Sequence, residues 1–184
     1  MKNIVLVFVV AGFISACVIT SINELPIRSP QQFLNDVKVV ADAGCLENVE
    51  FVSRWLRVDY RRGVEEPVYD GSGKFIEGYG VDVTRHTSSK EYLQEGRFYY
   101  RIYQSKGRDF YRVGISLPIN SGVICATPYD FLDVFGDVER YSVAHGTRWG
   151  YVRDNRSVKT RVVFSVGDDG CLSGIGISKN RAWR

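Results

Sequence analysis

Residues 98–116 read FYYRIYQSKGRDFYRVGIS, and this stretch decides the fold. Its aromatic and β-branched residues predict two strands, 98–103 and 110–115, joined by a polar turn at 105–108. Side chains alternate between the two faces of a strand, so Phe98, Tyr100 and Ile102 share one side. Aromatic residues recur in a later strand at 148–153, which favours this side as the core side. The pattern therefore indicates an antiparallel sheet with one buried face.

Two segments carry a helix start, in which a hydroxyl residue is followed by proline. Ser29-Pro30 opens the first helix, which Gly44 ends, and Thr127-Pro128 opens another that Gly136 ends. Asn48 is a further candidate cap. The remaining strands are predicted at 123–124, 148–153, 161–166 and 172–177, with a small hairpin at 68–69 and 74–76.

The two helix-led segments share internal spacings. Cys45 lies six residues before Phe51, as Cys125 lies six residues before Phe131. Repeated spacings of this kind indicate a duplicated structural unit. We therefore expect an α+β fold of two tandem units, each a helix followed by a three-stranded antiparallel sheet. The predicted boundaries are 29–124 for the first unit, 57–95 for an insertion within it, and 125–184 for the second unit.

The second unit resembles a known family. Its matching stretches are TPYDFLDVFG at 127–136, WGY at 149–151 and VVFSVGDDG at 162–170. They resemble the SmpA/OmlA (BamE) family of outer-membrane lipoproteins, in which a helix precedes an aromatic strand and an apolar strand with an Asp/Gly turn. Two such units in tandem resemble the fold of the β-lactamase inhibitor protein. The resemblance implies a protein that binds other proteins and catalyses no reaction.

The first residues predict export. Lys2 precedes an apolar run at 4–14, which is typical of a secretory signal peptide and too short to span a bilayer. The tetrapeptide Ile14-Ser15-Ala16-Cys17 resembles the bacterial lipobox, which implies cleavage after residue 16 and acylation of Cys17 with chains such as palmitate. Residues 17–28 then form a tether. Without an aspartate at position 18, the resemblance implies the periplasmic side of the outer membrane rather than the inner membrane.

Three cysteines remain besides Cys17. In an oxidising compartment two of them are expected to form a disulfide. We favour Cys125 with Cys171, because both lie at the sheet end of the predicted second unit. Cys45 would then be a free thiol, expected to be buried.

No catalytic constellation is evident in the sequence. His86 and His145 lie in polar loops, and neither GxSxG nor HExxH occurs. A cysteine–histidine dyad is conceivable, for example Cys125 with His145, but exported cysteines usually pair with each other. We therefore predict no enzyme activity, no cofactor and no metal site. The net charge of +3 is spread along the chain, so nucleic acid is not an expected partner.

The outward face of the first hairpin is the predicted interface. Tyr and Arg are enriched at interface hot spots, although cross-strand Tyr–Arg packing on a solvated sheet is an alternative. The favoured function is a periplasmic inhibitor or immunity lipoprotein that neutralises a toxin or hydrolase. The alternative is a structural lipoprotein of outer-membrane assembly. The partner would be an envelope protein or an incoming effector, and the interface residues would be Tyr99, Arg101, Tyr103, Phe110 and Arg112.

Overall fold

A computed structural model describes residues 21–107, 109–143, 146–155 and 158–180. Cys17 and His145 lie outside these residues. The helices are a 3-10 helix at Ile22–Glu24, α1 at Pro30–Ala43, α2 at Val49–Leu56 and α3 at Pro128–Phe135. The strands are β1 Val58–Tyr69, β2 Ile76–Ser88, β3 Tyr99–Ser105, β4 Tyr111–Pro118, β5 Glu139–Val143, β6 Gly146–Asn155, β7 Val158–Val166 and β8 Leu172–Lys179.

The strands form one eight-stranded antiparallel sheet in the order β1-β2-β3-β4-β8-β7-β6-β5. The two halves of the chain meet in its middle, where β4 pairs with β8. The prediction of two tandem units, each a helix with a three-stranded sheet, is therefore wrong. The stretch 57–95 is also not an insertion, because it supplies β1 and β2.

One missed strand, β1, lacks over most of its length the alternation that identifies a half-buried strand. Seven consecutive residues of β1, from Arg61 to Pro67, are exposed, so no period of two is visible there. The missed strand β2 does alternate, because Val81 and Val83 are buried whereas Asp82 and Thr84 are exposed. The predicted strand at 123–124 is instead a turn, in which the Val123 and Ile124 amides both donate to the Asn120 carbonyl. Apolar composition alone could therefore distinguish neither the polar strand β1 from a loop nor the apolar turn at 123–124 from a strand.

The helix starts and ends are confirmed. The Ser29 hydroxyl accepts a hydrogen bond from the Gln32 amide at 3.2 Å, and Gly44 ends α1 in the left-handed region at a φ of 65°. The Asn48 side chain accepts from the Phe51 amide at 3.0 Å and caps α2. Each cap satisfies amides or carbonyls that the helix itself leaves without partners.

The core lies between the helices and one face of the sheet. Phe131 of α3 stacks on Phe164 of β7, with their ring centroids 4.5 Å apart. The buried Tyr100 hydroxyl donates to the Leu46 carbonyl, which satisfies its polar atom inside the core. Other fully buried side chains include Phe33, Leu34, Val37, Leu56, Tyr92, Leu117, Ile119 and Leu172.

The predicted disulfide between Cys125 and Cys171 is confirmed. It joins the start of α3 to the start of β8, beside a hydrogen bond from the Leu172 amide to the Ala126 carbonyl at 2.8 Å. Cys45 is the free cysteine of the described residues, but it is exposed rather than buried. The expectation of a buried thiol was wrong because Cys45 follows the end of α1 at Gly44 and lies in a surface turn.

A buried ion pair holds the chain ahead of α1. The Arg28 guanidinium donates to the Glu91 carboxylate at 2.6 and 3.0 Å, and the Arg28 amide donates to the same carboxylate at 2.8 Å. Burial opposes both charges, but the hydrogen bonds outweigh it, so the pKa of Arg28 is raised and that of Glu91 is lowered. The described end of the predicted tether is therefore fixed to the body of the protein.

Candidate functional site

One face of the sheet is left uncovered by the helices. Along β3, Tyr100 and Ile102 are buried in the core, whereas Tyr99 and Arg101 are exposed on the opposite face. The predicted division of this strand into a core side and an outward side is therefore correct. We call the outward side the open face.

A trough runs along the open face where β4 and β8 pair. Its volume is about 200 Å³. Small residues face one another across the strands at its floor, because Ser116 pairs with Gly176 and Gly114 pairs with Ser178. On the next strand, Ser165 pairs with Gly174. The floor of the trough therefore carries no large side chains, although Gly114 and Ser178 are themselves buried.

Larger side chains border this floor. Tyr99 lies on the β3 side, opposite Ser116, and Val163 lies on the β7 side, opposite Gly176. Arg148 of β6 lines the trough beside Ser165. Val163 is only 6% exposed, although it points away from the core side.

Gly176 has no evident role in the packing of the chain. A Cβ atom at this position would lie no nearer than 3.9 Å to Val163 and 4.0 Å to the Ile115 carbonyl oxygen, which is ordinary contact. Its φ lies outside the left-handed region that favours glycine. A glycine within a strand weakens it, and often marks a place where a ligand or another backbone approaches closely. Gly176 therefore makes the trough a candidate binding site.

Gly78, a glycine of the open face on β2, does have a packing role. A Cβ atom at Gly78 would collide with the Gln104 carbonyl and lie 2.7 Å from the Tyr103 ring. Tyr103 lies flat over this glycine, and its hydroxyl donates to the Glu77 carbonyl at 3.1 Å. Aromatic side chains commonly cover strand glycines in this way. The contrast with Gly176 is that, among the described residues, no aromatic ring lies within 4 Å of a Cβ atom placed there.

Replacing Gly176 with alanine should therefore raise the free energy of unfolding, by about 0.5–1 kcal/mol, because the unfolded chain loses freedom and no contact is strained. Gly78→Ala is the matched control and should lower it, since the Tyr103 ring would have to move. Urea denaturation midpoints measure both variants. A loss of stability in Gly176→Ala would mean that this glycine is needed by the fold.

The five predicted interface residues all lie on the open face. Tyr99 lines the trough, and Arg101 pairs with Gly114 next to it. Tyr103, Phe110 and Arg112 form a cluster at the adjoining edge, with the Arg112 guanidinium 5.8 Å from the Tyr103 ring centroid and 5.6 Å from that of Phe110. The structure therefore brings these residues together, while their role in binding stays a prediction.

The sequence reasoning missed the residues contributed by the second half of the chain. Arg148, Val163, Ser165 and the β8 glycines line the trough beside Tyr99. One signal was present, because small residues alternate with apolar ones in SGIGIS at 173–178. That alternation shows a smooth outer face on β8, but only the pairing of β4 with β8 joins it to Tyr99.

The candidates for catalysis are not assembled into a site. The Cys125 sulfur is in the disulfide and cannot serve as a nucleophile, while His145 lies outside the described residues. His86 is exposed on β2. Within the described ranges, no group of three or more His, Cys, Asp or Glu side chains is placed to hold a metal ion. No helix there is long and apolar enough to cross a bilayer.

Comparison with protein-family models, curated proteins and solved structures finds no match to this chain. The resemblance of 127–170 to the SmpA/OmlA (BamE) family stays a prediction.

Proposed function

We propose that this chain is an exported lipoprotein that acts as a protein-binding module, and that it binds its partner in the trough. The favoured role is that of a periplasmic inhibitor or immunity protein, which neutralises a toxin or hydrolase by occupying a surface that the enzyme needs. The observation that carries the proposal is the trough of small residues around Gly176, which is lined by Tyr99 and Arg148.

The composition of the site supports a protein as the ligand. Tyr and Arg dominate interface hot spots, because they combine large contact areas with hydrogen-bonding groups. Tyr99 is 40% exposed, so an aromatic surface is available to a partner. A rigid sheet also loses little conformational entropy when it binds.

The export part of the proposal has independent support. The Cys125–Cys171 disulfide is of the kind that persists in oxidising compartments such as the periplasm. Anchoring through Cys17 would keep the protein at the membrane surface, where an incoming effector arrives. Metabolic labelling with palmitate should mark the wild-type chain but not Cys17→Ala, and an unlabelled wild-type chain would contradict the lipid anchor.

Binding is tested by affinity capture from envelope extracts, followed by mass spectrometry and by titration of the captured protein. The double variant Tyr99→Ala, Arg101→Ala should weaken affinity by at least about tenfold, as expected for hot-spot residues. Gly176→Tyr should abolish binding because the new ring fills the trough. Addition of the wild-type chain should inhibit the captured protein's enzymatic activity.

The matched control is Tyr129→Ala with Arg54→Ala, which removes an exposed tyrosine of α3 and an exposed arginine of α2 away from the open face. It should leave affinity unchanged. Thermal melts of every variant separate loss of binding from loss of folding. A captured protein that binds Gly176→Tyr as well as the wild-type chain would contradict the proposed function.

A further inference from the structure

Arginine side chains surround the trough at several levels along the strands. Arg148 stands beside the floor at Ser165 and Gly174. Two levels along the same face, beyond the level of Gly176, Arg101 and Arg161 stand on either side of Gly114 and Ser178. In antiparallel strands, directly paired residues point to the same face, so these guanidinium groups all belong to the open face.

Acidic side chains balance this charge only in part. Asp82 pairs with Arg101 in the sheet, and their closest charged atoms are 3.6 Å apart with both side chains well exposed. Glu139 is paired with Gly150 at the β5 edge. Among the described residues, neither Arg112 nor Arg148 takes part in an ion pair. The Arg148 side of the trough is therefore basic, and Arg101 adds a guanidinium on the β3 side whose contact with Asp82 is exposed.

The floor of the trough has room for the tip of a protein loop. Tyr99 and Val163 border the strip at Ser116 and Gly176, and their backbones are three strand spacings, about 14 Å, apart. The Ser116 and Ser165 hydroxyls at the floor can donate to carboxylate oxygens there.

We propose that the trough receives the tip of an acidic protein loop, whose Asp or Glu carboxylates bind between Arg101 and Arg148. This inference rests on the proposed function and specifies its partner. Guanidinium and carboxylate groups form charge-assisted, often bidentate hydrogen bonds, and complementary charge accelerates association. The apolar wall at Val163 and the Tyr99 ring favour a polypeptide over a free phosphate-bearing ligand.

Selection from a defined library tests the proposal without knowledge of the natural partner. Short random peptides closed by a disulfide are displayed on phage and selected on the immobilised full chain, with counter-selection on Gly176→Tyr. Ser116→Tyr, at an exposed position opposite Gly176, replaces that variant if it fails to fold. The selected loops are expected to carry Asp or Glu at their tips.

Fluorescence anisotropy then measures the strongest synthetic loop. Its affinity should fall by at least about tenfold in Arg148→Glu and should weaken as the salt concentration rises. Arg54→Glu carries the same charge change on α2, and its affinity should stay within about twofold of wild type. A loop whose affinity Arg148→Glu leaves unchanged would overturn the proposal.

The remaining outcomes separate this inference from the proposed function. Selected loops that are neutral or basic would overturn the acidic partner while leaving the trough as a binding site. If no selected loop binds the wild-type chain more tightly than Gly176→Tyr, both the acidic partner and the trough as a binding site would be overturned.

Discussion

Replacing Glu91 with leucine is expected to lower the free energy of unfolding by about 3 kcal/mol. Removing one member of a buried ion pair leaves the other charge buried without its partner, which typically costs about 3–5 kcal/mol. The Arg28 side chain is 3% exposed and that of Glu91 is 1% exposed, so water cannot replace the lost contact. The lower end of that range applies because Arg28 keeps Asp36, whose carboxylate lies 2.8 Å away.

Urea denaturation checks this value, with two further variants as controls. Asp154→Asn removes the exposed Lys159–Asp154 pair, whose side chains are more than half exposed, and should change stability by less than about 1 kcal/mol. The double variant Arg28→Leu, Glu91→Leu should recover part of the loss, because no unpaired guanidinium remains. A Glu91→Leu protein as stable as the wild type would show that the pair contributes nothing net.

The same pair predicts how stability depends on pH. The pKa of Glu91 is lowered from its usual 4.5, because hydrogen bonds from Arg28 and Ser89 outweigh the effect of burial. As the pH falls below 4.5, the unfolded chain takes up a proton at Glu91 before the folded chain does, so folding loses free energy. The stabilisation from ionised Glu91 is complete above pH 4.5, and it is lost as the pH falls through the pKa of Glu91 in the folded chain. Glu91→Leu should therefore show a flatter acid limb in urea midpoints measured against pH.

Removing the disulfide has the second large expected effect, a loss of about 4 kcal/mol in the double variant Cys125→Ala, Cys171→Ala. The bond closes a separation of 46 residues, and the entropy that such a loop removes from the unfolded chain corresponds to about 4 kcal/mol. The bond joins the segment before α3 to the segment before β8. The loop that it closes therefore contains α3 and the strands β5, β6 and β7.

Urea titration under oxidising conditions measures this effect. Cys45→Ala is the matched control, since its thiol is free and exposed, and it should leave the midpoint within error of the wild type. Added reductant should lower the wild-type midpoint to that of the double variant. Equal stability of the wild type and the double variant would mean that the bond does not constrain the unfolded chain.

Helix caps and the alternation of side chains along a strand were predicted correctly from the sequence. The caps at Ser29, Asn48 and Thr127 all precede helices, and the alternation in 98–103 correctly separates the buried from the exposed side chains of β3. These signals depend on hydrogen bonds or side-chain directions within a few residues. They therefore needed no knowledge of the rest of the fold.

Most of β1 was not predicted as a strand, although its last residues, 68–69, were. The outer part of β1 is exposed throughout, so its polar residues resemble a loop. Its ladder of hydrogen bonds to β2 nevertheless satisfies the backbone, as in the pairing of Arg62 with Val83 and Glu66 with Gly80. Cross-strand pairing of this kind depends on a distant segment, which is why the interpretation of 57–95 as an insertion was wrong.

By itself, the amino-acid sequence determined where the helices begin and end, which side of β3 faces the core, and which two cysteines are the favoured pair. Only the tertiary structure decided that β4 and β8 join the two halves in one sheet, and that Tyr99, Gly176 and Arg148 border a single trough. The physical reason is range: capping and alternation act between neighbours in the chain, whereas the trough depends on strands that are distant in sequence and meet only through long-range hydrogen bonds.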